Sequence, residues 1–141
     1  GLPFRAGQRY ITGDTMLEIL PVQSKSEQEA LCAVCGEKYL PDSLAYAALI
    51  DGNTVGVCQF SAEAGIGRIF SLASSSGDHK TILLLGRAVL AFFELQGVES
   101  VVFDGTSPDE SVLNSIGFTK NSDGGYYLHL TDFFSTGNSP E

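Results

Sequence analysis

The chain has 141 residues, 43% apolar and 18% charged, enough apolar material for one buried core and too little charge for a disordered polymer. Its 17 acidic and 8 basic residues give a net charge of −9, which works against nucleic acid or an anionic membrane as a partner. No apolar run reaches the roughly 18 residues of a membrane span, and no basic start leads into an apolar signal core, so a cytoplasmic protein is expected.

Gly1–Asp14 reads as an irregular arm. Met16–Val22 reads as a strand from Met16, Leu17, Ile19, Leu20 and Val22. Ser26–Gly36 reads as a helix, with Ala30, Leu31, Val34 and Cys35 at helical spacing and Gly36 as the stop. Its cap is Ser24 or Ser26, the latter with Glu29 at capping-box spacing. Leu40-Pro41-Asp42 interrupts regular structure. Leu44–Ile50 and Thr54–Phe60 flank Asp51-Gly52-Asn53, a hairpin signal. Ala64-Gly65-Ile66-Gly67 turns the chain into Ile69–Ala73, completing an antiparallel meander. The loop Ser74–Asp78 leads to a long helix, about His79 to Gln96, and Gly97 precedes a strand, Ser100–Asp104. That strand–helix–strand unit requires a crossover and local parallel pairing. A short helix (about Asp109–Ser115), the turn-rich Asn121–Gly125 and a strand, Tyr126–Leu130, follow. The tail Ser135–Glu141 is polar. Without a repeat or a linker, residues 1–141 read as one domain.

The long helix is apolar on most sides, and Lys80, Arg87 and Glu94 form one narrow polar stripe. One side can lie on a sheet; the other needs a second helix or a partner subunit, so a homodimer is one expectation. Gly86 in its interior costs about 1 kcal/mol relative to Ala, which points to close packing there. The odd cysteine count, Cys32, Cys35 and Cys58, fits reduced thiols. They read as buried small hydrophobes, with a metal or redox role as the alternative.

The loop entering the long helix offers backbone N–H groups and a positive dipole end to an anion. Lys80 can act there as a point charge and His79 as a donor, or both are ordinary exposed residues. Glu63 and Asp104 stand at strand ends, where α/β sheets bind ligands; alternatively each belongs to a turn.

The order of elements from Met16 to Phe133 resembles the GNAT N-acetyltransferase superfamily. The local matches are Gly97-Val98 at the helix exit and Leu113-Asn114-Ser115-Ile116-Gly117-Phe118 returning to Tyr126-Tyr127-Leu128. The resemblance implies an α+β fold, a mixed sheet in which an antiparallel meander precedes a β-α-β-α-β unit. It also implies acetyl-CoA as the cofactor and a small amine as the acceptor. The cofactor cradle would be Leu72, Ala73, Ser74, Ser76, Gly77, Asp78, His79, Lys80 and Thr81. Glu63 or Asp104 would serve as base, and Tyr126 or Tyr127 would substitute as acid.

The chain departs from the family's pattern. Members carry Arg or Gln, two residues, Gly, one residue, then Gly or Ala at the start of the long helix. Here those places hold Gly77, Lys80 and Ile82, where small residues would let phosphates approach the backbone. Asp78 adds a carboxylate and makes a good helix cap. Leu113 stands where the family has its acidic tyrosine, and Thr106 where it often has asparagine. The alternative function is a catalytically inactive GNAT-fold module that binds a protein partner or another ligand.

Overall fold

The structure, a computed structural model, describes residues 8–105 and 108–130. The strands are β1 (Gln8–Thr12), β2 (Thr15–Pro21), β3 (Leu44–Ile50), β4 (Asn53–Glu63), β5 (Ile66–Ser74), β6 (Ser100–Phe103), β7 (Thr119–Lys120) and β8 (Tyr126–His129). The helices are α1 (Lys25–Cys35), α2 (His79–Leu95) and α3 (Glu110–Ile116). All eight strands form one sheet in the order β1-β2-β3-β4-β5-β6-β8-β7. Only β5 and β6 pair in parallel, joined by the α2 crossover. This is the mixed α+β meander and crossover that the sequence predicts.

Gln8–Thr12 corrects the expectation of an irregular arm: it is an edge strand, antiparallel to β2 from Gln8↔Ile19 to Thr12↔Thr15. Its five residues carry no apolar alternation, so pairing with β2 decides the conformation rather than local pattern. Residues 1–7 and 131–141, including the polar tail, lie outside the described residues.

The turns follow the sequence chemistry. Asp51 (φ 50°) and Gly52 (φ 87°) form a two-residue link between Ile50 and Asn53, the doubly left-handed turn that Asp-Gly favours. Ser24, not Ser26, caps α1, its hydroxyl accepting from the Glu27 amide. Gly36 closes α1 in the left-handed conformation, and the Glu37 amide donates to the Cys32 carbonyl.

Side-chain alternation assigns the two sheet faces. Ala45, Ala47 and Val57 pack with Leu31 and Cys32 of α1. The intervening Tyr46, Ala48 and Cys58 pack on the other side with α2 and α3. There Tyr46, Phe60, Phe92 and Phe93 form a cluster of tilted and edge-on rings. The apolar cover that α2 requires comes from the sheet and α3. A Cβ on Gly86 would stand 2.8 Å from Ile116 Cδ1 and 3.3 Å from a Leu72 methyl, the close packing expected of that glycine.

Candidate donor site

The site begins where two strands part. β6 pairs with β5 only from Ile66↔Ser100 to Ile69↔Phe103. One further bond, from the Asp104 amide to the Ile69 carbonyl (2.8 Å), closes the shared ladder. β5 continues to Ser74, so its last residues have β4 on one side and, among the described residues, no strand on the other. The register against β4 shifts at the same point: Gln59 faces Ser71 and Phe60 faces Ile69, which leaves Phe70 as an extra residue in β5. Such a bulge bends its strand, here next to the end of β6.

Beyond the parting lies a cavity of about 400 Å³. Leu72, Ala73 and Ser74 of β5 form one wall, and Gly77, His79 and Ile82 at the start of α2 form another. Cys35, Gly36 and Glu37 contribute from the end of α1, and Pro108 and Asp109 from the entry to α3. Five of the nine cradle residues expected from sequence therefore meet here: Leu72, Ala73, Ser74, Gly77 and His79. Asp78, Lys80 and Thr81 instead line a separate cavity, against Tyr10, Leu17 and Ile50 on β1–β3. Ser76 lines neither, its hydroxyl lying 3.5 Å from that of Ser74. Helix geometry explains the split, since residues one apart on a helix point about 100° apart.

The loop uses several of its own donors. The Ser75 amide donates to the Val55 carbonyl (2.7 Å), Gly77 to the Ser74 carbonyl (3.2 Å) and Asp78 to the Ser74 hydroxyl (3.0 Å). Asp78 occupies the cap position but does not cap: its carboxylate accepts from the Thr81 hydroxyl at 2.6 Å. The first-turn amides of α2 thus have no side-chain cap. His79 Nε2 lies 3.8 Å from Asp109 Oδ2, an ion pair when the imidazole is protonated.

The wall from α1 has a polar anchor. Gln59 Nε2 donates to the Lys38 carbonyl and the Ser71 hydroxyl, and its Oε1 accepts from the Leu40 amide and Gln28 Nε2. All four contacts measure 2.8–2.9 Å, and Gln59 is fully buried. The network ties α1 and the segment after it to β4 and β5. No sequence signal marks it, because its members are far apart in the chain.

The thiols divide likewise. Cys32 and Cys58 are buried on opposite faces of the sheet. Cys35 is half-buried at the cavity, where burial and then the neighbouring Cys32 and Glu37 push its thiol up to about 11. Burial also raises the Glu37 carboxyl. Among the described residues no three His, Cys, Asp or Glu gather to hold a metal.

The expected catalytic residues are not assembled together. Glu63 is exposed at the end of β4 opposite Ile66, about 26 Å along β5 from Ser74 at 3.3 Å per residue. Asp104 stands at the parting and pairs with Arg68 at 3.2 Å, both about half exposed. Tyr126 starts β8 opposite Phe103, half-buried against the main core. Leu113 is buried in that core, and Thr106 lies outside the described residues.

No family model matches the sequence. No curated protein matches it either. Solved structures do. The ribosomal-protein-S18-alanine N-acetyltransferase of Escherichia coli superposes with a TM-score of 0.63 at 11% identity, over 82% of this chain and 94% of the other. The GNAT domain of PAT from S. lividans gives 0.59 at 13% identity, over 87% and 96%. The aminoglycoside acetyltransferase AAC(6')-Ib, in complex with coenzyme A, gives 0.58 at 15%, over 85% and 98%. At these identities the likeness is one of fold.

Proposed function

We propose, from the GNAT N-acetyltransferase fold that this chain has, that it takes acetyl-CoA as donor and transfers the acetyl group to a small amine. The observation that carries the reading is the parting of β5 from β6 beside a cavity. A strand edge with no neighbour offers main-chain donors and acceptors to an extended amide arm, as it would to another strand. Leu72, Ala73 and Ile82 give that arm an apolar wall. When bound, acetyl-CoA supplies an electrophilic thioester carbonyl and a thiolate leaving group.

Of the expected catalytic residues, Asp104 is the carboxylate at the parting, 3.2 Å from the Arg68 guanidinium. It is the group we assign to accept the proton of an incoming ammonium. Glu63 sits too far along the sheet for that task. A binding module without turnover is the second reading, favoured by the burial of Leu113 at the position of the family's acid.

Calorimetric titration of acetyl-CoA at low and moderate salt tests the proposal. Micromolar binding supports it, and amine screening for acetylation then separates enzyme from binder. No binding at millimolar ligand refutes it.

A further inference from the structure

We infer that the donor cavity recognises an acyl donor by its pantetheine arm alone, so that the ligand class it takes is a pantetheine thioester, with or without the nucleotide diphosphate. The inference rests on the donor-site reading above and narrows it.

A diphosphate on this scaffold would have to lie at the start of α2. Its surroundings there are anionic. Glu37 and Asp109 line the cavity, while Asp78 at the head of α2 lines the other one with its carboxylate on the Thr81 hydroxyl. Two carboxylates outweigh the roughly half positive charge of a helix N-terminus. The lining includes no lysine or arginine, and its one imidazole, His79, faces Asp109 at 3.8 Å. Lys80 lines the other cavity, and Lys38, next to Glu37 in the chain, is exposed. The Ser75 amide already donates to Val55 of β4, and the Gly77 and Asp78 amides donate to Ser74. Ile82 adds a branched side chain to the wall of the cavity.

The arm meets opposite conditions. It carries amides and no charge, and the unpaired edge of β5 offers it backbone partners without any ionic group. A diphosphate beside the Glu37 and Asp109 carboxylates would meet like charge on both walls of the cavity.

The test compares acetyl-CoA with S-acetylpantetheine by calorimetry on the full chain. The two are expected to bind within about fivefold of each other. Acetyl-CoA affinity is expected to rise between about 20 and 300 mM salt as repulsion is screened, with S-acetylpantetheine unmoved. Acetyl-CoA binding more than about fivefold tighter, or weakening with salt, overturns the inference and leaves the donor-site reading standing. Binding of neither ligand overturns both. A doubly neutralised variant, Glu37→Gln with Asp109→Asn, gives an independent arm. The affinity ratio of acetyl-CoA to S-acetylpantetheine should move at least about threefold toward acetyl-CoA; an unchanged ratio in a variant that still binds S-acetylpantetheine overturns the inference.

Discussion

Replacing Gln59 by Leu tests the claim that a buried polar network holds the α1 side of the cavity. The native side chain makes four hydrogen bonds in a fully buried position. Leucine fills much of the volume but orphans the Leu40 amide, the Lys38 carbonyl and the Ser71 hydroxyl. Gln28 keeps partners, since its Nε2 also reaches the Leu40 carbonyl and the Ser43 hydroxyl. An orphaned buried polar group costs about 1–3 kcal/mol. Lys38 is exposed and Leu40 half-buried, so their backbone groups can recover water and Ser71 cannot. The expected loss is therefore about 3–5 kcal/mol, within the 5–15 kcal/mol of a typical domain, and the variant still folds. Urea unfolding of wild type, Gln59→Leu, Gln28→Leu and the double variant measures the loss and the coupling. Amide exchange at Leu40 should accelerate in Gln59→Leu beyond the global change, and donor affinity should fall as the Glu37 wall loosens. A loss below about 1 kcal/mol, or unchanged Leu40 protection, refutes the reasoning.

Three further outcomes follow from single contacts. Gly86→Ala should stay within about 1 kcal/mol of wild type, because the clash at Ile116 is with the end of a flexible side chain and Ala favours the helix; Gly86→Leu should cost about 1–3 kcal/mol by forcing α2 from α3, and equal melting of both variants contradicts that packing. Cys35 should react slowly with iodoacetamide at pH 7 and roughly tenfold faster per pH unit through pH 9, because its thiol is pushed up to about 11; bound S-acetylpantetheine should slow it further, and a rate independent of pH rules out the thiol assignment. Burial raises the folded-state carboxyl of Glu37, so the native state binds its proton more readily than the unfolded chain does, and stability falls as pH rises through that raised value. Glu37→Gln should melt higher than wild type at pH 7 and lose that advantage below about pH 4, and a variant less stable at pH 7 reverses the sign and the argument.

The parts of the fold legible in sequence are those with a local cause. Asp51-Gly52 sets its hairpin through two left-handed residues, and the Leu44–Ile50 strand on its near side has the expected bounds. The apolar run of α2 announces a covered helix. Gln8–Thr12 has no such cause: its partner β2 supplies the hydrogen bonds, and Arg9–Glu18 at 3.2 Å is a cross-strand pair that only the fold creates. The same division runs through the cavity. Leu72, Ala73, Ser74, Gly77 and His79 fall within one eight-residue stretch, so sequence alone groups them. Cys35, Glu37 and Asp109 reach the site from α1 and the entry to α3, and nothing in their neighbours marks them for it. Asp78 reads as a cap, but a hydroxyl three residues on competes for its carboxylate.

Holding a donor's arm and holding its diphosphate depend on different features of this scaffold. In the proposed reading the arm takes a stretch of β5 that no described strand pairs, because β6 ends at Phe103 while β5 runs on to Ser74. Any side chains compatible with strand, bulge and crossover preserve it, so it survives almost complete loss of sequence likeness. The diphosphate is served by small residues and positive charge at the head of one helix, and a few substitutions reverse that. Here Lys80 lines the other cavity, and Ile82, Glu37 and Asp109 line this one. On the proposed reading, the main-chain half of the site follows from topology and the other half depends on side chains. Measured against salt, the two halves separate: main-chain recognition of an uncharged arm is indifferent to ionic strength, and an anion facing these carboxylates is not.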